Sequence, residues 1–359
     1  MLRYTIKRLM YGLLVLLGVV TLVFFLFNIL PGDPARMMLG QRADEESIAI
    51  INKDLGRDKP VGMQYLNYLN DLLPISFHNN IDPDNYFYLS NDKYAPYTTL
   101  LTVGSTSVVL KAPYFRRSYQ SKRKVSEIIA TAFPQTALLA VVALSFALVL
   151  GILLGILSAL YKDSWVDRLT LVLSTLGMSL PSFFAAILIA WFFAYVLADY
   201  THLNMFGNLY TVDDYGTGEY LDLKNMILPA FTLGIRPLAT LTQLTKNSML
   251  EALSQDYIRT ARAKGLPFRK VVFHHALRNA MNPVVTSASG WLAGLLAGAV
   301  FVEYVFDWKG MGIVIVDGLD KYDFPVVMGS ILFICVLLIV INIVTDILYG
   351  LLDPRVRIQ

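Results

Sequence analysis

Residues 251–283 read EALSQDYIRTARAKGLPFRKVVFHHALRNAMNP. This is a polar, basic, helix-competent stretch in the middle of a very hydrophobic chain. The chain has 359 residues, of which 55% are hydrophobic and only 16% charged. Its mean hydropathy is +0.53. A soluble domain carries about 25% charged residues, and several apolar runs here reach the roughly 20 residues that cross a bilayer. The fold class expected is therefore an all-α polytopic membrane protein, and 251–283 is a long helical segment that cannot enter the membrane.

Working outward, six transmembrane helices are expected. The first is 9–30. Arg3, Lys7 and Arg8 precede it, as in a signal peptide, but the run is longer than a signal h-region and no A-x-A site follows, so it reads as retained. The second is 133–160, after Pro134. In the long run 169–198, Gly177 and Pro181 divide an interfacial helix at 165–178 from a crossing at 181–198. The fourth is 226–246, with Pro229 near its start and Pro237 inside. The fifth and sixth are 283–303 and 325–351.

Lysine and arginine near the span ends set the orientation. They gather in the N-terminal tail, at Lys162 and Arg168, at Lys246 through Arg278, and at Arg355 and Arg357. With six spans these all fall on one side, whereas the loops 199–225 and 304–324 are mostly acidic. The positive-inside rule puts both termini and the quoted segment in the cytoplasm. Arg116, Arg117, Lys122, Arg123 and Lys124 fall on the other side, within a loop long enough to translocate regardless of charge.

Three regions follow: 1–30 (tail and first span), 31–132 (a small mixed extracytoplasmic domain between spans one and two) and 133–359 (five further spans, with a cytoplasmic loop at 247–282). The outer domain mixes a helical-looking part, 44–73, with the strand-like YTTLLTVGSTSVVL (97–110), where Gly104 suits a hairpin turn. Tyr86, Phe87, Tyr88, Tyr94 and Tyr97 suggest a small packed core.

The chain has no phosphate-binding G-x-x-x-x-G-K-[ST], no H-E-x-x-H helix and no G-x-S-x-G elbow. No metal site, cofactor or catalytic residue is expected. Its one cysteine, Cys335, lies in an apolar run and cannot form an internal disulfide. The spans hold almost no carboxylates, Asp346 excepted. An ion-coupled carrier needs ionisable groups at mid-membrane, so energy for transport would have to come from a partner.

Within the cytoplasmic loop, 249–264 reads as one helix, with Ser254 a candidate internal N-cap. Gly265 suits a left-handed C-cap position. Pro267 suits the first position of a second helix, which ends near Met281, before Pro283. The result is a helix–glycine–helix elbow. Tyr257, Ile258, Ala261 and Leu266 form its apolar ridge, and arginines rim it.

DYIRTARAKGL followed by HALRNA resembles the EAA loop of ABC-transporter permeases, and more narrowly the B-type permease of the dipeptide/oligopeptide/nickel importers. Where that family has E-A-A, this chain has Arg259-Thr260-Ala261. The family glycine is Gly265, and the I-x-L-P positions are His275-Ala276-Leu277-Arg278. The glutamate and the proline are absent, as is usual in the peptide branch. Further likenesses are LPGDPA (30–35), LGRDKPVGMQYLNYL (55–69), MSLPSF (178–183), VEYVFDWKGMG (302–312, with Lys309 where proline is common), YDFPVVMG (322–329) and LLDPR (351–355). Residues 74–115 look like an insertion relative to that family.

The resemblance implies a permease of the bacterial inner membrane, importing di- or oligopeptides, with nickel or another small solute as the alternative. It implies a sister C-type permease, two ATPase subunits that bind the ATP, an extracytoplasmic solute-binding protein and surrounding lipid, and no nucleic acid. It places ATPase docking on Asp256, Tyr257, Arg259, Thr260, Ala261, Lys264, Gly265, Leu266, His275 and Arg278. Three further features come from the residues themselves. Gly290, Gly294 and Gly298, spaced by four, suit close helix packing. Arg236, a lone cation inside span four, is a candidate for lining a pathway. The basic cluster 116–124 is a candidate for steering an acidic partner toward the outer domain.

Overall fold

In lipid, backbone polar groups must be satisfied within the segment that crosses, which leaves a chain this apolar with helices. The computed structural model describes residues 2–29, 57–83, 85–212 and 218–352, together with 45, 48, 49 and 52. LPGDPA, most of 44–56, and the tail from Asp353 lie outside the described residues, as does the side chain of Asp346.

In chain order the main elements are α1 (Leu2–Ile29), α2 (Val61–Leu72), β1 (Ile75–Asn79), β2 (Tyr97–Val103), β3 (Thr106–Lys111), α3 (Val125–Leu160), α4 (Trp165–Ser179) and α5 (Ser182–Trp191). Then come β4 (Tyr210–Val212), β5 (Glu219–Leu221), α6 (Lys224–Ser254), α7 (Asp256–Ala263), α8 (Leu277–Gly298), α9 (Val300–Phe306), α10 (Met311–Asp320) and α11 (Phe324–Leu352). Two π-helical stretches, Phe192–Val196 and Val271–Ala276, continue α5 and lead into α8.

Among the described residues, three helices are long and apolar enough to cross a membrane: Ile6–Asn28, Val125–Leu160 and Phe324–Thr345. Two more spans are broken. Trp165–Ser179 and Ser182–Val196 meet at 113°, and Phe268–Leu296 meets α9 at 57°. The expected fourth span is α6, whose 31 residues include Asn225, Arg236, Gln243 and Lys246. It is not apolar enough to count by composition, and it need not be, because protein rather than lipid surrounds much of it. The break at Pro181 is where the sequence placed it.

Several boundaries differ from expectation. α3 starts at Val125, so Pro134 lies inside it. α6 runs through Pro229 and Pro237 and on to Ser254. The second elbow helix does not stop at Met281 but passes through Pro283. Each proline removes only one backbone bond, and helices held by neighbours tolerate that. The fifth span, expected unbroken over 283–303, instead breaks at Ala299.

The chain forms two units. One comprises residues 6–131 and 314–337. Here Val20, Val23, Phe24 and Phe27 of α1 pack with Tyr68 of α2 and with Phe324, Val327, Met328 and Leu332 of α11. A three-stranded antiparallel sheet has the order β1-β3-β2. Gly104, at φ +59°, makes the expected hairpin turn, while β1 was not foreseen. Ser76, His78, Ser107, Val109 and Lys111 are buried on one face, whereas Ile75, Phe77, Leu101, Val103 and Leu110 are exposed on the other. Of the five aromatics expected to form a core, only Tyr94 is fully buried.

Asp71 organises this unit. Its carboxylate accepts from Tyr94 Oη at 2.8 Å and Arg116 Nε at 3.1 Å, and its carbonyl accepts from Lys111 Nζ at 2.6 Å. Burial pulls the Lys111 ammonium down to about 8, against the opposing pull of Asp71. The Arg116 guanidinium also lies over the Tyr68 ring, at 5.0 Å. Arg117 pairs with Asp92 at 2.7 Å. Two of the five basic residues expected to steer a partner are thus engaged within the domain. Asp323 makes a second anchor, accepting from Ser118 Oγ at 2.5 Å and Tyr119 N at 2.9 Å.

The other unit comprises residues 1–5, 132–313 and 338–359, and α6 runs through it. Added at Gly155, a Cβ would lie 2.5 Å from Thr245 Cβ and 2.7 Å from the Thr242 carbonyl. Added at Gly234, it would lie 2.9 Å from the Ala143 carbonyl. Glycines of α3 and α6 therefore bring those two helices together.

Asp71→Ala would strand the Arg116 and Tyr94 donors. We expect a loss of about 1–3 kcal/mol for each buried donor left unpaired, seen as earlier melting of the purified chain and faster proteolysis within 57–124. Asp92→Ala, which breaks an exposed pair, should cost under about 1 kcal/mol. Equal effects would show that Asp71 is no anchor.

Candidate functional site

The elbow grows out of the end of α6. Gln255, extended at φ −73° and ψ 153°, separates α6 from α7. Ser254 does not cap α7: its hydroxyl donates back to the Glu251 carbonyl at 2.7 Å. Turning outward at Gln255 leaves the Ser254 side chain on the wrong helix. At the far end of α7, Gly265 has φ +74°. Leu266 N–H donates to the Ala261 carbonyl at 3.3 Å, and Gly265 N–H to the Arg262 carbonyl at 3.0 Å. This pair of bonds is the Schellman arrangement, and only glycine takes its left-handed residue without strain. Pro267 follows as the N-cap of the next helical turn, one position before where it was expected.

One side of the elbow is buried. Ile258, Ala261, Val271, Val272, Ala276 and Ala280 form a single apolar cluster with Met249 and Ala252 of α6 and Ile156 and Ala159 of α3, and Leu266 packs against it. This corrects the expected ridge. Ile258 and Ala261 are spent on holding the elbow to its own chain, so Ala261 offers no surface to a partner. The remaining expected residues lie outside or at the edge. Asp256, Tyr257, Arg259, Thr260, Lys264, Gly265 and Arg278 are exposed, while Leu266 and His275 are half-buried. Asp256 and Arg259 pair at 3.4 Å in open solvent, an interaction worth little. Sequence reasoning missed two exposed aromatics, Phe268 and Phe273. They stand out of phase with the buried Val271, Val272 and Ala276, which is the signal that distinguishes them.

A polar brace sits nearby. Asp167 of α4 accepts from Lys246 Nζ of α6 at 2.5 Å, from Ser158 Oγ of α3 and from Asp163 N–H at 3.1 Å. Neither Asp167 nor Ser158 was singled out in the sequence. Another brace uses Glu303, which is fully buried. Its carboxylate accepts from Thr136 Oγ1 and from Gly312 N–H, each at 2.6 Å. A Cβ on Gly312 would lie 2.7 Å from that carboxylate. The glutamate and glycines of VEYVFDWKGMG are therefore one packed turn.

Arg236 is exposed and borders a cavity of about 140 Å³ at the bend between α4 and α5. Gly177, Leu180 and Ser182 come from the bend, Leu233 and Ile235 from α6, and Trp291 and Gly294 from α8. A larger cavity of about 360 Å³, between Val142, Phe146, Phe193 and Phe231, has apolar walls and holds no charged group. Gly290 and Gly294 approach nothing: a Cβ at either would have no neighbour within 4 Å. They make no close helix contact with the described residues of this chain, which is the use their spacing suited. Gly298 ends α8.

A Cβ at Gly265 would also meet nothing within 4 Å, so the cost of replacing it is conformational. Gly265→Val should strain the elbow by about 1–2 kcal/mol or more, whereas Gly265→Asn, at home in the left-handed region, should be mild. Hydrogen exchange over 256–270 should quicken in the valine variant alone. Indistinguishable exchange would refute a required positive φ.

Compared with known proteins, residues 151–358 match the family described as binding-protein-dependent transport system inner membrane component. Residues 1–82 match the N-terminal membrane component of such systems. The glutathione transport system permease protein GsiC of Salmonella typhimurium strain LT2 is 35% identical over 357 residues, covering 99% of each chain. The protein of that name from Escherichia coli K12 is 34% identical over 358 residues, again covering 99% of each. Among solved structures, a chain of the inward-facing MetNI methionine ABC transporter shares the fold. Its TM-score is 0.50 at 16% identity, over 64% of this chain and 97% of that one. With its helical core, its broken spans and these matches, the chain belongs to the inner membrane components of binding-protein-dependent transport systems.

Proposed function

We propose that this chain is the permease subunit of an ATP-driven importer of di- and oligopeptides, and that the elbow at 251–282 is where an ATPase subunit docks. The observation that carries this is the two-sidedness of the elbow. Its inner side is locked into the apolar cluster with the ends of α3 and α6, while its outer side presents Tyr257, Phe268 and Phe273 among arginines and lysines. An aromatic patch with a basic rim has the composition of a protein-binding surface. A force applied to α7 passes through Ile258 and Ala261 into two spans at once, because packed apolar side chains resist compression.

In this reading two ATPase subunits bind and hydrolyse ATP, one on this elbow and one on that of a sister permease. A solute-binding protein delivers the peptide from outside, where the domain containing 74–115 meets it. Both termini and the elbow lie in the cytoplasm, as the lysine and arginine distribution favours. The peptide class is supported by the GsiC relatives, which are named for transport of glutathione, itself a tripeptide.

The test is co-expression of the importer's subunits. Gly265→Val, and separately Arg259→Glu combined with Lys264→Glu, should cut ATPase co-purification about tenfold while leaving the amount of permease in the membrane unchanged. Arg117→Glu in the outer domain is the control and should co-purify normally. Normal recovery with both elbow variants would end the docking assignment.

A further inference from the structure

Arg236 is the only charged residue between Lys224 and Lys246. It stands 12 residues from the first and 10 from the second, so at 1.5 Å per residue it is about 18 Å and about 15 Å from those helix positions. One side chain cannot snorkel that distance to either interface. Among the described residues the guanidinium has no hydrogen-bond or ion-pair partner; only the Arg236 carbonyl is engaged, by Thr240 Oγ1. A charge at such depth turns to a partner or to a polar space. The space here is the cavity at the α4–α5 bend. Its walls are mostly Leu180, Leu233, Ile235 and Leu295, with the hydroxyls of Ser182 and Thr232 and the Trp291 indole as the other polar groups; the Thr232 hydroxyl donates to the Leu228 carbonyl at 2.8 Å.

We propose that Arg236 is the site at which this chain receives the carboxylate of a passing solute. A guanidinium presents two parallel N–H donors that match a carboxylate, a fit an ammonium lacks. Apolar walls strengthen its field in the cavity. The Trp291 indole can only donate, the Ser182 and Thr232 hydroxyls are neutral, and none of the cavity's side chains brings a negative charge. The site therefore favours anionic groups over cationic ones, and a peptide's C-terminal carboxylate is the one anion every peptide carries. The inference rests on the chain being a solute pathway. It adds which end of the solute the pathway recognises.

The test uses the assembled importer with Cys335→Ser and Ser182→Cys, which places a thiol on the cavity wall. Reaction rates with sulfonatoethyl and trimethylammonioethyl methanethiosulfonate, each normalised to a free thiol, report the local charge. The anionic reagent should be favoured at least about tenfold, the lower end of what one-signed clefts achieve. Arg236→Gln should bring the ratio near one, and Arg236→Lys should retain most of it. Diglycine should slow the anionic reagent more than diglycinamide does. A ratio near one with Arg236 present would show that a neighbouring subunit's carboxylate already neutralises it, and would overturn the proposal. Failure of both reagents to react, or equal slowing by the peptide and its amide, would overturn it too. ATPase co-purification from the same preparations is scored separately, so a failed docking assignment remains distinguishable.

Discussion

The enclosure of α6 is the constraint on which the unit that contains it depends. A helix carrying Asn225, Arg236, Gln243 and Lys246 cannot face lipid on all sides, so its neighbours must come close. Gly155 of α3 and Gly234 of α6 itself remove the side chains that would hold them apart. α4 closes another side, with Gly177 lying where a Cβ would be 2.9 Å from Ile235 Cγ2. The same helix then carries the elbow at its end. Whatever moves the elbow therefore moves the most enclosed element of the unit, which is a physical basis for coupling.

Buried carboxylates recur as fasteners. Asp71, Asp167, Glu303 and Asp323 each accept from two or more donors. Such groups add little net stability over an apolar replacement, yet breaking one side of the arrangement is costly. Their value lies in fixing one geometry where apolar packing would accept several. Glu303 illustrates this. It holds the turn after α9 against α3 at Thr136, and Gly312 is glycine because the carboxylate occupies the place of a side chain. Arg236 is the contrast, a charged group in the same unit as Glu303 whose donors have no partner among the described residues.

The comparison of elbow and glycines shows how far local sequence carries. The Gly265 turn was legible because a left-handed residue between two helical stretches is a local demand that glycine alone meets cheaply. Ala261 was misassigned because the ridge Tyr257, Ile258, Ala261 and Leu266 has the right period for an apolar face, and period does not say whether the covering partner is another protein or the chain's own α3 and α6. The repeat Gly290, Gly294, Gly298 looked like a packing groove, whereas the close approaches occur at Gly155 and Gly234. A glycine's spacing records an opportunity for contact, and the neighbouring helix decides whether it is used.

The sequence by itself determined the membrane class, the three long apolar helices, the break at Pro181, the hairpin at Gly104 and the polar elbow. All of these follow from composition, apolar run length and residues with special backbone freedom, which act over a few positions. Tertiary structure alone decided that α6 is the enclosed helix, that α8 continues through Pro283, and that Arg116 serves Asp71 rather than a partner. It also decided the pairing of Thr136 with Glu303, two residues 167 positions apart in the chain. Contacts of that separation depend on which helices become neighbours. That choice is made by the summed packing of whole faces, which no short stretch of residues encodes.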